Sequence, residues 1–263
     1  MTERESHRRV VRDAFDRAAP GYDAAASVQR EVCTRLLTLA DAHPPASPAL
    51  RVLDAGCGTG FALTLLGRRH PAALRIALDF APSMLARVPF AEPSALRVCA
   101  DLEELPFPAG AIDVLWSSLS LQWCDADRAL REFARVLTPG GKAWIATLAP
   151  RTLYELREAF VAVDDDEHVL RFLQPQDWLD AAREAGFRVE YHSREAIPVL
   201  APDLRGIVRH IKGIGANRID TRARRALTRA QWRTLEAAYE GHRRPDGMLP
   251  ATYDVLLFAL ARP

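Results

Sequence analysis

Three glycines and an aspartate have the spacing of a cofactor-binding loop. Gly56, Gly58 and Gly60 follow the apolar run in "RVLDAGCGTG", residues 51–60. Glycine in a turn directly after a strand lets the backbone adopt positive φ and lets a ligand approach closely. Ligands of open α/β sheets bind outside the carboxyl ends of the strands. The stretch therefore predicts a loop that holds a dinucleotide or another adenosine cofactor.

The same stretch argues against a dinucleotide. The dinucleotide fingerprint needs its third glycine at the position of Phe61, and Gly60 stands one residue too early. Asp54, two residues before Gly56, would face a pyrophosphate with like charge. A carboxylate there suits a cationic ligand, and S-adenosylmethionine carries an ammonium and a sulfonium group. We therefore expect S-adenosylmethionine as the cofactor and disfavour a dinucleotide oxidoreductase.

Two further aspartates end the next predicted strands. Asp79 ends "RIALD", where a carboxylate can accept hydrogen bonds from both ribose hydroxyls, and Phe80 beside it offers an apolar face to adenine. Asp101 ends "RVCAD" and is followed by Leu102, so it could meet the exocyclic amine of adenine. Carboxylates at three successive strand ends form a coherent set, although each alone could be a helix cap.

The apolar pattern supplies the elements that position these residues. Residues 3–40 read as helical with a break at Pro20-Gly21, and short apolar runs then alternate with helical stretches as far as Pro150. Strands separated by helices need crossover connections, which predicts a doubly wound, mostly parallel α/β sheet. Within it, "TPGG" predicts a turn and "KAWIATL" the strand that follows it. Beyond Pro150 we expect helices, a strand at "FRVEYHSREAIPVL" and a closing strand at "ATYDVLLFALAR".

This organisation predicts three parts. They are a helical N-terminal lid at 1–45, a cofactor-binding core at 46–150, and a substrate-facing extension at 151–263 that contains a basic helical insertion at 203–246.

Composition excludes several classes of protein. The 263 residues are 49% hydrophobic with a net charge of +1, and we find neither a signal peptide nor an apolar run of membrane-spanning length. We therefore expect a cytoplasmic protein. Its four cysteines form no CxxC pair, so we expect free thiols and no bound metal.

At these motifs the sequence resembles the class I S-adenosylmethionine-dependent methyltransferases, whose Rossmann-like core matches "VLDAGCGTG", "ALDFAPSML", "CADLEELPF", "AIDVLWSS" and "LTPGGKAWIATL". Upstream, "AFDRAAPGYDAAASVQ" resembles the lid of these enzymes, in which a tyrosine, here Tyr22, closes over the cofactor. The resemblance implies cofactor contacts from Tyr22, Asp54, Gly56, Cys57, Gly58, Asp79, Phe80, Met84, Asp101 and Leu102, with Ser117 or Ser118 nearby.

The remaining motifs indicate which family of methyltransferases the sequence resembles. "LQWCDADRALRE", "LRFLQPQDW", "HIKGIGAN" and "LPATYDVLLFAL" are together similar to the malonyl-[acyl-carrier protein] O-methyltransferases of the biotin pathway. This resemblance implies malonyl on acyl carrier protein as the methyl acceptor. The segment 203–246 has eleven Lys and Arg against five Asp and Glu, which suits an acidic carrier protein. Lys212, with Arg209 and Arg171 as alternates, is our candidate to hold the substrate carboxylate, and Gln122 and Trp123 are candidate pocket walls.

The implied chemistry is direct methyl transfer to an ionised carboxylate. Such a nucleophile needs no general base, so we name no catalytic acid or base. The alternatives are a methyltransferase for a quinone precursor or free carboxylic acid, an RNA methyltransferase, which few exposed aromatic residues in the basic segment disfavour, and a cofactor-binding protein without catalysis. No G-x-S-x-G occurs, so we expect no fused esterase.

Overall fold

One twisted sheet with helices on both faces forms the centre of the molecule. The computed structural model describes residues 3–89, 95–214 and 227–263. In these ranges the sheet has seven strands in the order β3-β2-β1-β4-β5-β7-β6. The strands are β1 Arg51–Ala55, β2 Leu74–Asp79, β3 Ala95–Cys99, β4 Ile112–Ser118, β5 Leu137–Leu148, β6 Arg188–Ala201 and β7 Leu249–Ala261.

The strand directions confirm the predicted architecture. β1 to β5 run parallel, and β7 pairs antiparallel with both β5 and β6. The order reverses at β1, which puts a crevice between the carboxyl ends of β1 and β4, where ligands of doubly wound sheets bind. The helices are α1 Glu3–Ala18, α2 Tyr22–Ala25, α3 Ser27–Ala42, α4 Phe61–Arg69, α5 Pro82–Leu85, α6 Ala126–Val136, α7 Tyr154–Phe160, α8 Pro175–Glu184, α9 Leu204–Gly213 and α10 Arg229–Tyr239.

The two faces of the sheet carry separate cores. Trp116 and Trp144 are fully buried on the face that packs against α3, α7, α9 and α10. Phe133 of α6 is fully buried on the opposite face, against α8. The central strands are mostly apolar because both faces are covered, as expected for parallel strands.

Local signals fix the ends of several helices. The side chain of Asp125 accepts a hydrogen bond from Arg128 N (3.1 Å) before α6, and that of Asp203 accepts one from Gly206 N (2.7 Å) before α9. A capping box between Thr228 and Gln231 begins α10. These caps satisfy backbone N–H groups that lack a partner in the first helical turn.

β5 begins earlier than the sequence predicts. The "TPGG" segment was expected to be a turn before the strand, but it belongs to β5 from Leu137 onward. Gly140 N donates to Arg262 O (2.8 Å) and Arg262 N donates to Gly141 O (2.9 Å). The segment is therefore held by the chain beyond β7, a distant partner that local turn signals do not show.

Candidate functional site

A cavity lies over the carboxyl ends of β1, β2 and β4, beneath the N-terminal helices. Its volume is about 1090 Å³, part of it open to solvent. The glycine loop after β1 forms its floor, and side chains of α1, α2 and α3 form its roof. Its lining combines apolar and aromatic side chains with a few carboxylates, as is usual for sites that bind cofactors.

The glycine loop has the backbone that its sequence requires. Gly56, Gly58 and Gly60 have φ of +81°, +53° and +89°. A Cβ on Gly56 would lie 2.6 Å from the Oγ of Ser120, so glycine is needed there for space as well as for conformation. Gly56 N and Cys57 N both donate to Leu78 O, at 2.8 and 2.9 Å. The loop is thereby fastened across the end of β2.

Asp79 is oriented by the loop it faces. Its Oδ2 accepts from Gly58 N (2.8 Å) and its Oδ1 accepts from Ala81 N (2.9 Å). Each carboxylate oxygen has two lone pairs, so both oxygens can still accept from a ligand hydroxyl. Burial raises the pKa of Asp79 to about 6. The geometry fits a ribose diol at this position.

Asp54 differs because one of its oxygens has no partner. It is 2% exposed, and within the described part of the chain its Oδ2 makes no hydrogen bond. Burial, followed by the charge of Asp79, raises its pKa to about 8. A buried carboxylate without a partner is costly unless a cation neutralises it. The ammonium of S-adenosylmethionine is a group that would do so.

The lid is tied to the loop by direct contacts. Thr59 Oγ1 donates to Asp23 Oδ1 (2.6 Å), and Arg30 Nη1 donates to Asp23 O (2.6 Å). The ring of half-buried Tyr22 lies over Gly58, 3.8 Å from where its Cβ would be. The N-terminal helices therefore contact the cofactor loop itself.

An ionic network holds α1 at the mouth of the cavity. Arg8 pairs with Asp101 (3.1 Å) and with Glu103 (2.6 Å), and Arg4 also pairs with Glu103. Asp101 was predicted to meet adenine, and it lines the cavity, but its Oδ2 is engaged by Arg8. No local sequence signal predicts this contact, because α1 and the end of β3 are far apart along the chain.

Aromatic side chains form the apolar wall near Asp79. The ring of Phe15 makes edge contacts with Phe80 and Trp123, with centroids 6.3 and 5.5 Å apart. Met84 and Leu102 complete this wall and are almost fully buried. Such a wall suits the flat face of adenine.

A strained residue follows β4. Leu119 has φ of +54°, which is rare for a bulky side chain. Its N donates to Ala146 O (2.9 Å), and Gln122 Nε2 donates to its carbonyl oxygen (2.7 Å). Strain of this kind often marks a functional site. Sequence reasoning missed Leu119, since nothing in its residue type signals positive φ.

The cavity brings together most of the residues predicted to bind the cofactor. Ser118 is among them, and its Oγ lies 3.5 Å from Cys33 Sγ. Ser117 is not, because it is fully buried and donates to Ala55 O (2.9 Å). The predicted residues that line the cavity are Tyr22, Asp54, Gly56, Cys57, Gly58, Asp79, Phe80, Met84, Asp101, Leu102, Ser118 and Trp123.

Comparison with known proteins decides the family. The methyltransferase domain family matches residues 53–145. A malonyl-[acyl-carrier protein] O-methyltransferase of Laribacter hongkongensis is 45% identical over 269 residues, which cover 96% of this chain and 89% of the relative. One from Dechloromonas aromatica is 44% identical over 247 residues, covering 94% and 91%.

The chain belongs to the malonyl-[acyl-carrier protein] O-methyltransferase family.

It is therefore an S-adenosylmethionine-dependent methyltransferase. A solved structure of a proposed methyltransferase from Bacillus halodurans has the same fold, with a TM-score of 0.62 and 17% identity over 88% of this chain and 98% of that one. None of the helices that the structure describes is long and apolar enough to cross a membrane.

The structure places the predicted substrate residues of this methyltransferase away from the cofactor cavity, Trp123 excepted. Gln122 and Arg171 line a separate surface cavity beside α6 and α8, and Arg171 pairs with Glu167. Arg209 and Lys212 are exposed on α9. Of the motif "HIKGIGAN", residues 215–217 lie outside the described part, as does 215–226 of the basic insertion. The residues that sequence reasoning missed in the cavity include Arg8, Phe15, Asp23, Arg30, Thr59 and Ser120.

Proposed function

We propose that this methyltransferase converts the free carboxylate of a malonyl thioester on acyl carrier protein into a methyl ester. The names of the relatives support this acceptor. The observation that carries the cofactor half of the proposal is the unpartnered Oδ2 of buried Asp54 beside Asp79. A cation would stabilise this pair of carboxylates, and the pair lies where the family binds S-adenosylmethionine.

The two aspartates on the floor of the cavity would bind different parts of the cofactor. Asp54 would accept from the ammonium, with the carbonyl groups of the glycine loop as further acceptors. Asp79, held by Gly58 N and Ala81 N, would accept from the ribose hydroxyls. Phe80 and Met84 would flank the adenine. Both aspartates have the free lone pairs that these roles require, and in their ionised form the charge.

Arg30 is suited to the carboxylate of the cofactor. Among the described residues, Arg8 and Arg30 are the arginines that line the cavity, and Arg8 is neutralised by Asp101 and Glu103. Arg30 donates to the main-chain oxygen of Asp23 and has no ion pair to an acidic side chain in the described part of the chain. Since Asp23 is bonded to Thr59, Arg30 lies at the loop end of the cavity, with the amino-acid end of the cofactor.

The transfer step needs positioning more than acid or base catalysis. Bound S-adenosylmethionine supplies an electrophilic methyl group on a sulfonium. A carboxylate oxygen of malonyl forms the new O–C bond while the S–C bond breaks, and the departing sulfur keeps the electron pair as a neutral thioether. The malonyl carboxylate is already ionised at neutral pH, so no proton has to move.

The lid provides the remaining contribution. Tyr22, the Thr59–Asp23 hydrogen bond and the Arg8 network close the roof over the reacting groups. Water bound to the carboxylate lowers its nucleophilicity, so its removal and a fixed near-attack geometry favour the reaction. In this proposal the predicted lid at 1–45 closes the cavity, the predicted core at 46–150 binds the cofactor, and the predicted extension at 151–263 faces the acceptor.

We assign carrier-protein docking to α9. Arg205, Arg209 and Lys212 are exposed at positions i, i+4 and i+7, so they share one face of the helix. Gly213 at the end of α9 packs against Ala25 of the lid, where an added Cβ would lie 2.6 Å from the Cβ of Ala25. A basic face beside the lid suits an acidic carrier that delivers its acyl arm to the cavity.

The acceptor assay tests the proposal. Purified protein with S-adenosylmethionine and malonyl-acyl carrier protein should give a product with the mass of one methyl ester, and acetyl-acyl carrier protein, which lacks the carboxylate, should give none. Methylation of a quinone precursor or RNA instead would overturn the acceptor and leave the enzyme class intact.

Charge reversal tests the docking surface. The variant Arg209→Glu with Lys212→Glu should raise KM for malonyl-acyl carrier protein by about tenfold at low salt, since rim charges act on encounter and are screened by salt. KM for malonyl-coenzyme A and the Kd of S-adenosylmethionine should not change. Arg68→Glu on α4, an exposed arginine elsewhere, is the matched control. Equal effects of both variants would contradict the assignment.

A further inference from the structure

Two polar side chains between α9 and β7, the half-buried His210 and the buried Tyr253, have atoms without hydrogen-bond partners among the described residues. The rings of His210 on α9 and Tyr253 on β7 make an edge contact with centroids 5.9 Å apart. Tyr253 is 3% exposed. Neither His210 Nε2 nor the Tyr253 hydroxyl makes a hydrogen bond within the described residues, although both atoms are shielded from solvent.

This arrangement is unusual because buried polar groups nearly always have partners. An unmade hydrogen bond leaves the desolvation cost of the group uncompensated. Tyr239 on the same side of the sheet shows the ordinary solution, since its hydroxyl donates to Pro250 O (2.8 Å). The protein therefore keeps at His210 and Tyr253 two polar groups that its own fold does not use.

The pair lies next to the cofactor cavity, behind Tyr22. Tyr22 packs against the same cluster of buried side chains that contains Tyr253. The end of α9, three residues beyond His210, touches Ala25 of the lid. Tyr22 itself lines the cofactor cavity and so borders both regions.

We propose that His210 Nε2 and the Tyr253 hydroxyl bind the carboxylate of the malonyl acceptor. This inference rests on the proposed function. The two groups come from neighbouring elements and their rings are in contact, so each could donate to one carboxylate. Neither residue is acidic, so this region does not repel an anionic nucleophile as Asp54 and Asp79 would.

Neutral donors suit this nucleophile better than a cation would. A tight ion pair with Arg or Lys would stabilise the carboxylate before reaction and reduce its tendency to attack. A phenol hydroxyl and a neutral imidazole orient the oxygens with weaker hydrogen bonds. Burial lowers the pKa of His210, which keeps its ring neutral. Lys212 and Arg209, exposed on α9, then remain available to the carrier protein.

The experiment compares two tyrosines that differ in whether their hydroxyl has a partner. Tyr253→Phe should lower kcat/KM for malonyl-acyl carrier protein on the order of tenfold to a hundredfold, the effect of losing one hydrogen bond to a charged group. The Kd of S-adenosylmethionine should change less than about twofold, because this group lies on the acceptor side. The melting temperature of the Tyr253→Phe protein should equal or exceed that of the wild type, since an unpartnered hydroxyl is removed.

Tyr239→Phe is the matched control. It should lower the melting temperature, because it removes the hydrogen bond to Pro250, and leave kcat/KM unchanged. At the other position, His210→Gln keeps an N–H donor and should retain more activity than His210→Leu. A wild-type kcat/KM in Tyr253→Phe would overturn the inference, and so would a parallel loss of cofactor affinity. A wild-type protein that does not methylate malonyl-acyl carrier protein would refute the proposed function instead.

Discussion

The cofactor cavity and the neighbouring region between α9 and β7 differ in charge and in how they are assembled. The cofactor side consists of buried carboxylates on strand ends and a loop whose backbone groups orient them, all within residues 54–81. The region between α9 and β7, which we propose as the acceptor side, has neutral polar groups without hydrogen-bond partners in the described part of the chain, from elements about forty residues apart. A cationic cofactor and an anionic acceptor need these opposite environments.

The contrast also shows how each side is made rigid. Both oxygens of Asp79 are fixed by backbone N–H groups, so its position depends on the turn and little else. His210 and Tyr253 make an edge contact between a helix and a strand, and neither His210 Nε2 nor the Tyr253 hydroxyl has a hydrogen-bond partner among the described residues. We therefore expect substitutions on the cofactor side to act on affinity for S-adenosylmethionine and those on the acceptor side to act on KM for the acceptor.

The largest expected effect is from Asp79→Asn. It removes the charge that accepts from the ribose and leaves one oxygen where Gly58 N and Ala81 N need two, so the Kd of S-adenosylmethionine should rise on the order of a hundredfold, as measured by calorimetry. Asp113→Asn is the control, because Asp113 also accepts from two backbone N–H groups, Leu50 and Arg51, but at the opposite end of β1. An Asp79→Asn protein with unchanged cofactor affinity would contradict the division of roles between the cofactor side and the acceptor side.

The pH dependence tests the charge of the cofactor side. Burial raises the pKa of Asp54 to about 8 and that of Asp79 to about 6, above their unfolded values. Protonation of the two acids therefore stabilises the free fold fully below about pH 4, and this contribution is lost as pH rises through 6 and then 8. Binding of a cation needs the ionised form, so affinity for S-adenosylmethionine should increase by up to about tenfold per pH unit below pH 8.

Two measurements check this sign. Chemical denaturation of the free protein should give an unfolding free energy that falls between pH 5 and 8 more steeply for wild type than for Asp54→Asn. Calorimetry in buffers of different ionisation enthalpy should detect proton release on cofactor binding near pH 7. Proton uptake would contradict the assignment of Asp54 to the ammonium.

Gly56→Ala should have an intermediate effect. The new Cβ would overlap Ser120 and force a change in the loop, so we expect about tenfold weaker cofactor binding. Gly140→Ala is the control for backbone strain alone, since Gly140 has φ of +80° with open space around it and should cost about 1–2 kcal/mol of stability. Adding Ser120→Gly to Gly56→Ala should restore part of the affinity. No recovery would mean that positive φ, not the overlap, governs this position.

The smallest effect is expected at the link between lid and loop. Thr59→Val removes the hydrogen bond to Asp23 and should raise the dissociation rate of S-adenosylmethionine about threefold, the effect of a weak, partly exposed hydrogen bond. Stopped-flow displacement would measure it. Thr138→Val, at the far end of the sheet, should leave this rate unchanged. A change in KM for the acceptor with no change in this dissociation rate would show that the link acts on acceptor binding instead.

Much of the fold was predictable because its signals are local. The break at Pro20-Gly21, the alternation of strands and helices after Arg51 and the two closing strands all appear in the structure. The predicted start of β5 was wrong, because "TPGG" is held by the chain around Arg262. Pairing with a segment more than a hundred residues away leaves no trace in the local pattern.

Ser117 and Ser118 show the same limit in the site. Adjacent residues of a strand point to opposite faces, so the sequence indicates that only one of them can face the cavity. The structure puts Ser118 there and buries Ser117 beneath the loop, bonded to Ala55 O. The choice depends on which face of β4 is covered by α3.

The sequence by itself determines the cofactor side of this protein. A strand, a glycine turn and a carboxylate at the next strand end set their own geometry within about thirty residues. Only the tertiary structure decided which cations and neutral donors surround the cavity. Arg8 and Arg30 reach it from the lid, Lys212 and Arg209 face outward, and His210 meets Tyr253. These positions follow from how helices pack on the sheet, and packing is a property of surfaces that the chain brings together from far apart.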